Sequence, residues 1–296
     1  MNKYTISAIK HATTVINGIT DYSLASGVQQ LILSGSGEVD PGFVGLGKIN
    51  PRFTWTTTQI KTALANLGGI AGIVIATSNF NFWLQKITEA VSRAGNVHEK
   101  IAVIQGLLIP QTLTVNDGGL ATISYLTIPT SADGTTSPFS RTGTQALDDN
   151  QGEATEAYTL GEITLNGAAL DGVQSMTLNF GLAVDISGGK MYPTDVAIVK
   201  RNPSITINCL DIDETFAAAG WGLVGQAQDA SDSVINLDDV LEGGIRGTTP
   251  ITITIDEGNM HFENITGSDG GRLGTAITLT PTYDGTAAIL ALGGIT

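Results

Sequence analysis

The second half of this chain repeats the first at a constant distance in the sequence. Asn50-Pro51 returns as Asn202-Pro203 and Pro129 returns as Pro281, so both landmarks are displaced by 152 residues (202 − 50 and 281 − 129). Over the 80 residues from 50 to 129 the two copies align without a gap and share 14 identities. Several of these are Gly and Pro, which fix unusual backbone angles and are retained while core residues change. We therefore interpret the chain as a tandem duplication.

A shorter match lies upstream of this window. INGITDYSLASGVQQLILSGSG, residues 16–37, resembles LNGAALDGVQSMTLNFG, residues 165–181. Both segments read Asn-Gly, a short gap, Gly-Val-Gln and then an apolar-polar strand. We align the two Gly-Val-Gln triplets, which places Leu31 and Leu33 opposite Met176 and Leu178.

The composition favours β-structure with many tight turns. The 296 residues include 37 Gly, only 14% are charged, and 42% are apolar. Each half is long enough to bury its own core. We predict a mainly β chain of two tandem, related β-sandwich or barrel domains, residues 1–150 and 151–296. Each domain is expected to carry a short flanking helix and a long insert between strands.

Strand and helix signals occur at matching places in both halves. Ile251, Ile253 and Ile255 alternate with Thr, the period of a half-buried strand. Apolar residues at helical spacing predict a helix over 60–67 that ends at Gly68, and a counterpart over 212–219. A further helix is predicted over 82–94, in the first half only.

The net charge of −14 is confined to the second half. Residues 1–150 carry nine acidic and nine basic residues, whereas residues 151–296 carry nineteen acidic and five basic residues. A nucleic-acid reader needs a basic face that displaces counterions from phosphates. This distribution therefore argues against DNA recognition and is compatible with DNA passing without adhesion, or simply with solubility.

No arrangement of residues predicts catalysis, a cofactor or a metal. His11, His98 and His261 are far apart, and none has a second His or Cys at ligand spacing. The acidic run at 211–214 lacks the EF-hand spacing. GFVGLGKI, residues 42–49, lacks the Ser or Thr that follows the Lys of a phosphate loop. We expect a non-enzymatic protein with no cofactor.

The cysteine content and the apolar runs indicate the cellular compartment in which the protein is made. Cys209 is the only cysteine, so no disulfide forms within the chain, and we expect it in the core. The first residues lack the apolar segment of a secretory signal. The longest apolar run, residues 67–76, is too short for a bilayer span. We expect synthesis in a cytoplasm and no membrane partner.

Together these features resemble the tail tube proteins of long-tailed bacteriophages. The likeness rests on the Asn-Gly…Gly-Val-Gln strand entry, the long insert before Asn-Pro, and the helices at 60–67 and 212–219. It also rests on a closing strand that ends in Pro-Thr…Asp-Gly. The resemblance covers both halves of the chain.

The resemblance implies an assembling structural protein of the virion tail, put together in the host cytoplasm. In that family each domain is a β-sandwich whose sheet joins its neighbours in an inner barrel, and six domains form a ring. Rings stack into a tube that guides DNA from head to host. A duplicated chain implies three chains per pseudo-sixfold ring. The implied partners are further copies, tape measure and terminator proteins, and DNA that passes through the lumen without specific binding.

The family also implies roles for the inserts and the acidic half. The inserts, residues 34–49 and 181–201, are expected to carry ring-to-ring contacts, so that deleting either blocks polymerisation without unfolding the chain. The candidate contact residues are Glu38, Asp40, Phe43, Lys48, Asp185, Lys190, Tyr192 and Asp195. Acidic side chains of the second half are expected to line the bore.

Two other classes remain open at this stage. A capsid or decoration protein of two β-barrels would repeat at a similar length, but the helical spacing after a strand at residue 60 disfavours a jelly roll. An adhesive or carbohydrate-binding β-module would present clustered aromatic side chains. Trp55, Trp83 and Trp221 are spread along the chain and are expected in the core.

Overall fold

The chain is built almost entirely from β-strands. A computed structural model describes residues 3–37, 39–87, 95–147, 152, 154–210, 228–241, 246–267, 273–283, 285 and 288–295. In this part of the chain there are 24 strands and one short helix, and no sheet closes into a barrel. The mainly β fold class predicted from the sequence is confirmed.

The first half of the chain contains twelve strands and the helix. In chain order they are β1 (Lys3–His11), β2 (Thr14–Ile16), β3 (Ile19–Ala25), β4 (Val28–Leu33), β5 (Phe43–Ile49), β6 (Arg52–Thr57), α1 (Ile60–Asn66), β7 (Ile73–Ile75), β8 (Phe80–Ile87), β9 (His98–Val103), β10 (Gly106–Asn116), β11 (Thr122–Pro129) and β12 (Phe139–Gln145). We call these elements the first unit.

The second half contains the remaining twelve strands. In chain order they are β13 (Tyr158–Leu165), β14 (Ala168–Leu170), β15 (Val173–Asn179), β16 (Leu182–Ser187), β17 (Asp195–Arg201), β18 (Ser204–Cys209), β19 (Gln228–Asp229), β20 (Ser233–Asp239), β21 (Ile251–Ile255), β22 (Gly258–Thr266), β23 (Gly274–Pro281) and β24 (Ala291–Gly293). We call these elements the second unit.

The two units have the same strand order. A five-stranded sheet runs β12-β9-β8-β1-β2 in the first unit and β24-β21-β20-β13-β14 in the second. The order β10-β11-β6-β3 of the first unit returns as β22-β23-β18-β15. The pairs β6/β18, β10/β22 and β11/β23 start 152 residues apart, as at 204 − 52. This agreement supports the tandem repeat, and the boundary near residue 150 stays a prediction.

In each unit the five-stranded sheet packs face to face on the other sheet. In the first unit this contact is aromatic. Phe53 on β6 stacks on Phe82 of β8 with ring centroids 4.4 Å apart, and Trp55 on β6 faces Phe80 of β8 at 6.3 Å. Tyr125 of the neighbouring strand β11 stacks on Trp55 at 4.6 Å. In the second unit Ile207 takes the position of Trp55 and is fully buried. Each unit is thus a two-layer sandwich with a dry core between its sheets.

A glycine fixes the same turn in both units. Gly27 precedes β4 and Gly181 precedes β16, and each has a φ of +60°. Their carbonyls accept hydrogen bonds from the N–H groups of Asn50 (3.1 Å) and Asn202 (2.9 Å). A Cβ at either glycine would collide with the backbone of that Asn. The repeated Asn-Pro motif therefore closes the base of the hairpin that follows each glycine.

The short helix after β6 is confirmed, since α1 spans Ile60–Asn66 and buries Ile60, Ala63 and Leu64. It is followed by Gly68 with a φ of +80°. The predicted counterpart at 212–219 lies outside the described residues. The predicted helix over 82–94 is wrong in its first part, because that segment belongs to β8, which pairs with β1 and β9. Residues 88–94 lie outside the described residues.

The alignment of the two Gly-Val-Gln triplets is also wrong. Gly27 corresponds to Gly181, and Gly172 corresponds to Gly18, because the carbonyls of Gly18 and Gly172 both accept an N–H from the residue after the equivalent strands β6 and β18. Strand β15 therefore matches β3 and not β4. The triplet recurs because two different turns each place glycine before a strand.

Candidate assembly interface

The two units are joined by an edge-to-edge strand pair. Residues 112–116 of β10 pair antiparallel with residues 175–179 of β15, with Thr112 opposite Asn179. Backbone bonds extend the pair at both ends, from Phe180 N–H to the Gln111 carbonyl (3.0 Å) and from Asp117 N–H to the Gln174 carbonyl (2.7 Å). The two four-stranded sheets thereby become one continuous sheet, which we call the shared sheet.

Strand β10 pairs with two different strands along one of its edges. Its first residues, 106–108, pair with the short strand β7, and a bulge after Pro110 precedes the part that pairs with β15. Strand β22 has the same arrangement at its start, where Asn259 and Met260 pair with β19. The second half of β22 corresponds to the part of β10 that joins the units.

Two matching edges of the shared sheet have no partner strand in the described part of the chain. These are the outer edge of β3 and the outer edge of β22 beyond Phe262. Their core-facing side chains are correspondingly exposed. Leu24 on β3 is 46% exposed whereas its counterpart Leu178 is 0% exposed, and Ile265 on β22 is 38% exposed whereas its counterpart Leu113 is 1% exposed. Each edge therefore lacks the cover that the internal junction provides.

Each unit also projects a two-stranded hairpin from the start of its Asn-Pro turn. We call β4, β5 and their connection arm 1 (residues 28–49), and β16, β17 and their connection arm 2 (residues 182–201). Arm 2 lies on the first unit of the same chain. Its inward face packs on a small cluster formed by Leu107, Ile109, Leu126 and Ile128. The inward residues are Leu182, Val184, Ile186, Val196 and Ile198.

The tip of arm 2 is held by backbone hydrogen bonds to the first unit. Ser131 N–H donates to the Pro193 carbonyl (2.8 Å), and the Gly134 carbonyl accepts from Met191 (2.8 Å) and Tyr192 (3.0 Å). The Met191 carbonyl accepts from Ile49 N–H (2.8 Å). The loop 131–134 and the base of arm 1 thus form a seat for this tip.

Asp133 organises the loop that provides this seat. Its carboxylate accepts hydrogen bonds from the backbone N–H groups of Thr135 and Thr136 and from the hydroxyls of Thr136 and Ser131, at 2.7–2.9 Å. These donors, Thr136 foremost, hold the pKa of Asp133 well below its usual range. The charged form is therefore the one that shapes the loop.

Arm 1 has the same register as arm 2, but the described part of the chain provides no such seat for it. Gln30 opposes Leu46 as Val184 opposes Ile198, and all six residues of β4 are exposed. Its inward face therefore presents apolar side chains, including Ile32, to solvent. The outward faces differ in chemistry. Leu31, Leu33 and Phe43 of arm 1 stand where Asp185, Ser187 and Asp195 stand in arm 2.

The structure places the candidate contact residues on both arms. Asp40 lies in the tip of arm 1, and Phe43 and Lys48 lie on β5, all three exposed. Asp185 and Asp195 lie on the exposed outward face of arm 2, and Glu38 lies outside the described residues. Lys190 and Tyr192 lie in the arm 2 tip. Contacts of these residues between rings stay a prediction.

The face of the shared sheet that points away from the core carries hydroxyl and amide side chains outside the apolar cluster that arm 2 covers. Cross-strand hydrogen bonds link several of them, as between the hydroxyls of Thr112 and Ser124 (2.7 Å) and from the Asn208 amide to the Ser175 hydroxyl (2.8 Å). The residues of this polar face are Thr54, Thr56, Thr112, Thr114, Thr122, Ser124, Ser175, Thr177, Asn179, Ser204, Thr206 and Asn208.

Charge on this polar face is sparse and lies near the two open edges. Asp21 of β3 and Arg52 of β6 lie at one edge, and Glu263 lies at the other, where its carboxylate is 3.1 Å from Nε2 of His261. Among the described strands of the shared sheet, the second unit contributes two acidic residues, Asp229 of β19 and Glu263 of β22. The expected acidic lining is therefore not found on this face.

Sequence reasoning missed the junction and the destination of arm 2. One signal was available, because alternating Thr or Ser with large apolar residues marks strands with one buried and one polar face. That signal identifies the faces of β6, β11, β15 and β18, but it does not indicate which edge joins which. The apolar residues at positions 182, 184 and 186 likewise predict a buried face, but they do not indicate which surface covers it.

Comparison with known proteins adds no relatives. No family model matches the chain, and none of the curated proteins is significantly similar to it in sequence. No helix in the described part is both long and apolar enough to cross a membrane. Functional reasoning therefore rests on the geometry of the two units.

Proposed function

We propose that this protein is a self-assembling structural component, with three chains closing a ring of six units and rings stacking into a virion tail tube. The observation that carries the proposal is the junction of β10 with β15. It joins two units of like topology edge to edge, and the equivalent edges at β3 and β22 have no partner strand among the described residues. The same contact, repeated between chains, would pair β22 of one chain with β3 of the next.

The internal junction defines the register of the proposed contact. Thr112 corresponds to Asn264 (264 − 112 = 152), and Asn179 corresponds to Ala25 (179 − 25 = 154). Since Thr112 lies opposite Asn179, Asn264 would lie opposite Ala25 of the next chain. Ile265 would then lie opposite Leu24. Both exposed apolar side chains would be buried at once.

Charge also suits this contact. Arg52 is paired with Ala25, and Glu263 precedes Asn264 at the bulge of β22. The proposed register brings this cation and this anion to the two sides of the same junction. At the internal junction their positions hold Ser204 and Gln111, which are neutral. The contact between chains would thus carry an electrostatic preference that the internal one lacks.

A head-to-tail contact of this kind is heterologous, so it must either close into a ring or continue as a filament. Closure removes every open edge of the shared sheet, which is a physical reason to favour it. The family resemblance supplies the number six for the units and hence three for the chains. Stacking of such rings, with the outward faces of the arms between them, would complete a tube.

The polar face of the shared sheet would then line the bore. Its hydroxyl and amide groups bond largely to one another across strands and carry little charge. DNA phosphates would find few cations to bind and few anions to repel them. We therefore propose a nearly neutral wall for DNA passage in place of the acidic wall expected from the sequence.

Disulfide trapping tests the register directly. Ala25→Cys combined with Asn264→Cys should yield chains linked into closed trimers under mild oxidation, in a concentration-dependent manner. The matched control is Thr112→Cys with Asn179→Cys, which occupies the internal junction and should form its bond within one chain at any concentration. Cys209 is buried and can remain in all variants.

Microscopy completes the test. Negative-stain images of the wild-type protein should show rings with a central hole and threefold symmetry, and tubes at higher concentration. Isometric shells would favour the capsid alternative. A protein that stays monomeric at every concentration, with the internal control pair oxidised and the Ala25→Cys/Asn264→Cys pair reduced, would refute the proposal.

A further inference from the structure

We infer that the tip of arm 1 docks into a groove on the second unit of a neighbouring chain, the chain whose β22 would pair with β3 beside that arm, with Val39 as its apolar anchor. This inference rests on the proposed ring, and it names a second contact within that ring. Val39 is 97% exposed in the single chain. An apolar side chain at a hairpin tip with almost complete exposure is a candidate for burial in a partner.

The groove lies between β17 and the C-terminal segment of the second unit. Its volume is about 440 Å³. Apolar atoms from Ile198, Val199 and Ile289 form its walls, and Tyr283, which is 66% exposed, lies at its side. Ala288, Lys200 and Arg201 complete the lining. It is large enough for a valine side chain with its neighbouring backbone.

The docked tip of arm 2 supplies the precedent for this contact. Counted back from the Asn-Pro motif, Met191 corresponds to Val39 (191 − 39 = 152), and it bonds through its backbone to Ile49 and Gly134 of the first unit. The counterpart of Ile49 is Arg201 (201 − 49 = 152), which lines the groove. If the contact between chains repeats the internal one, Val39 at the tip of arm 1 lies beside Arg201 of the neighbouring chain.

Charge distinguishes this contact from the internal one. Asp40 follows Val39 and Glu38 precedes it in the sequence, whereas the tip of arm 2 has Tyr192 and Lys190 at these positions. The groove offers Lys200 and Arg201 to the acidic tip.

Arg201 provides a second sign of a missing partner. Its Nε is shielded from solvent and makes no hydrogen bond within the described part of the chain. A shielded guanidinium nitrogen without an acceptor is unfavourable. An arriving carboxylate such as that of Asp40 would satisfy it. The acidic tip therefore suits the groove of the second unit.

Sedimentation velocity on full-length variants tests the inference. Val39→Asp should weaken the association of chains at least about tenfold, because it removes the apolar anchor and brings a charge into the groove. Val97→Asp, at an exposed valine directly before β9, is the matched control and should assemble as the wild type does. Asp40→Lys and Lys200→Glu should each weaken association, and the double variant should recover most of it.

The Ala25→Cys/Asn264→Cys pair, introduced into each variant, separates the two proposals. If Val39→Asp assembles with wild-type affinity, or if the double charge reversal is no better than its single variants, the docking of the tip is wrong while the sheet junction stands. If the cysteine pair fails to cross-link chains even with a wild-type tip, the ring proposal fails and the docking contact fails with it.

Discussion

Arm 1 and arm 2 share one fold but differ in what surrounds them. Both hairpins start after a glycine at a φ of +60°, both close on an Asn-Pro turn, and both keep the same strand register. Arm 2 is covered by the first unit of its own chain, whereas the whole of β4 in arm 1 is exposed. The difference lies in position along the chain, because the second unit has the first unit beside it and the first unit has none on its other side.

A single chain therefore contains one complete contact between units, and at its two ends it carries the two separate halves of a second contact of the same kind. The complete copy comprises the β10–β15 pair and docked arm 2. The halves are the open edge of β22 with the groove beside β17, and the open edge of β3 with arm 1. An assembly that joins the halves needs no contact type that the single chain does not already contain.

The largest expected effect comes from the cores, where the units differ in chemistry. Trp55→Ala should lower the free energy of unfolding by about 4 kcal/mol, because it removes a buried ring that stacks on Tyr125. Ile207→Ala, the equivalent change in the second unit, should lower it by about 3 kcal/mol. Urea denaturation followed by circular dichroism measures both. A larger loss of unfolding free energy for Ile207→Ala than for Trp55→Ala would contradict this expected order.

The arms provide the sharpest matched pair. Ile186→Asp places a charge between arm 2 and the first unit, so it should lower the stability of the monomer by about 2 kcal/mol. Ile32→Asp is the equivalent change in arm 1, which is 58% exposed at this residue, and should alter monomer stability by less than about 0.5 kcal/mol. Thermal unfolding at dilution measures both. Equal destabilisation by the two variants would mean that arm 1 is also packed within its own chain.

A smaller effect is expected from the loop that seats arm 2. Asp133→Asn should weaken the bonds that organise residues 131–136 and increase amide exchange at Met191 and Tyr192 at neutral pH.

The same loop predicts the direction of a pH effect. Because the pKa of Asp133 is lowered in the folded state, its contribution to stability is present above the usual Asp value of 3.8 and is lost as the pH falls below it. Acid titration of wild type and Asp133→Asn, followed by near-ultraviolet circular dichroism, compares the two. The variant should lack the part of the acid transition that belongs to this loop. Identical acid transitions would contradict the assigned role.

The smallest effect is expected at Tyr125. Its hydroxyl is buried in the aromatic core and has no hydrogen-bond partner among the described residues, and burial raises its pKa above the usual value. Tyr125→Phe should therefore be neutral or stabilising by up to about 1 kcal/mol, since it removes an unsatisfied polar group. The second unit already has an aliphatic residue, Ile277, at this position. Chemical denaturation is the measurement, and a clear loss of stability would reveal a partner for the hydroxyl.

Much of the local structure could be predicted from the sequence. The 152-residue repeat distance aligns β6 with β18 and β11 with β23, and the buried helix after β6 was located by its apolar spacing. The strand at residues 82–87 was not predicted, because three consecutive apolar residues fit a helix as well as a strand. Pairing with β1 and β9 decides between the two. The inserts were identified as a pair, but their different surroundings were not.

The sequence alone determined the kind of unit, because Gly, Pro and the alternation of Thr with Ile act on neighbouring residues and leave a local pattern. Only the tertiary structure decided that β10 takes β15 at its edge and that arm 2 lies across the first unit. An open strand edge offers the same N–H and C=O groups to any partner, so the choice depends on side chains far away in the sequence that become neighbours only after folding.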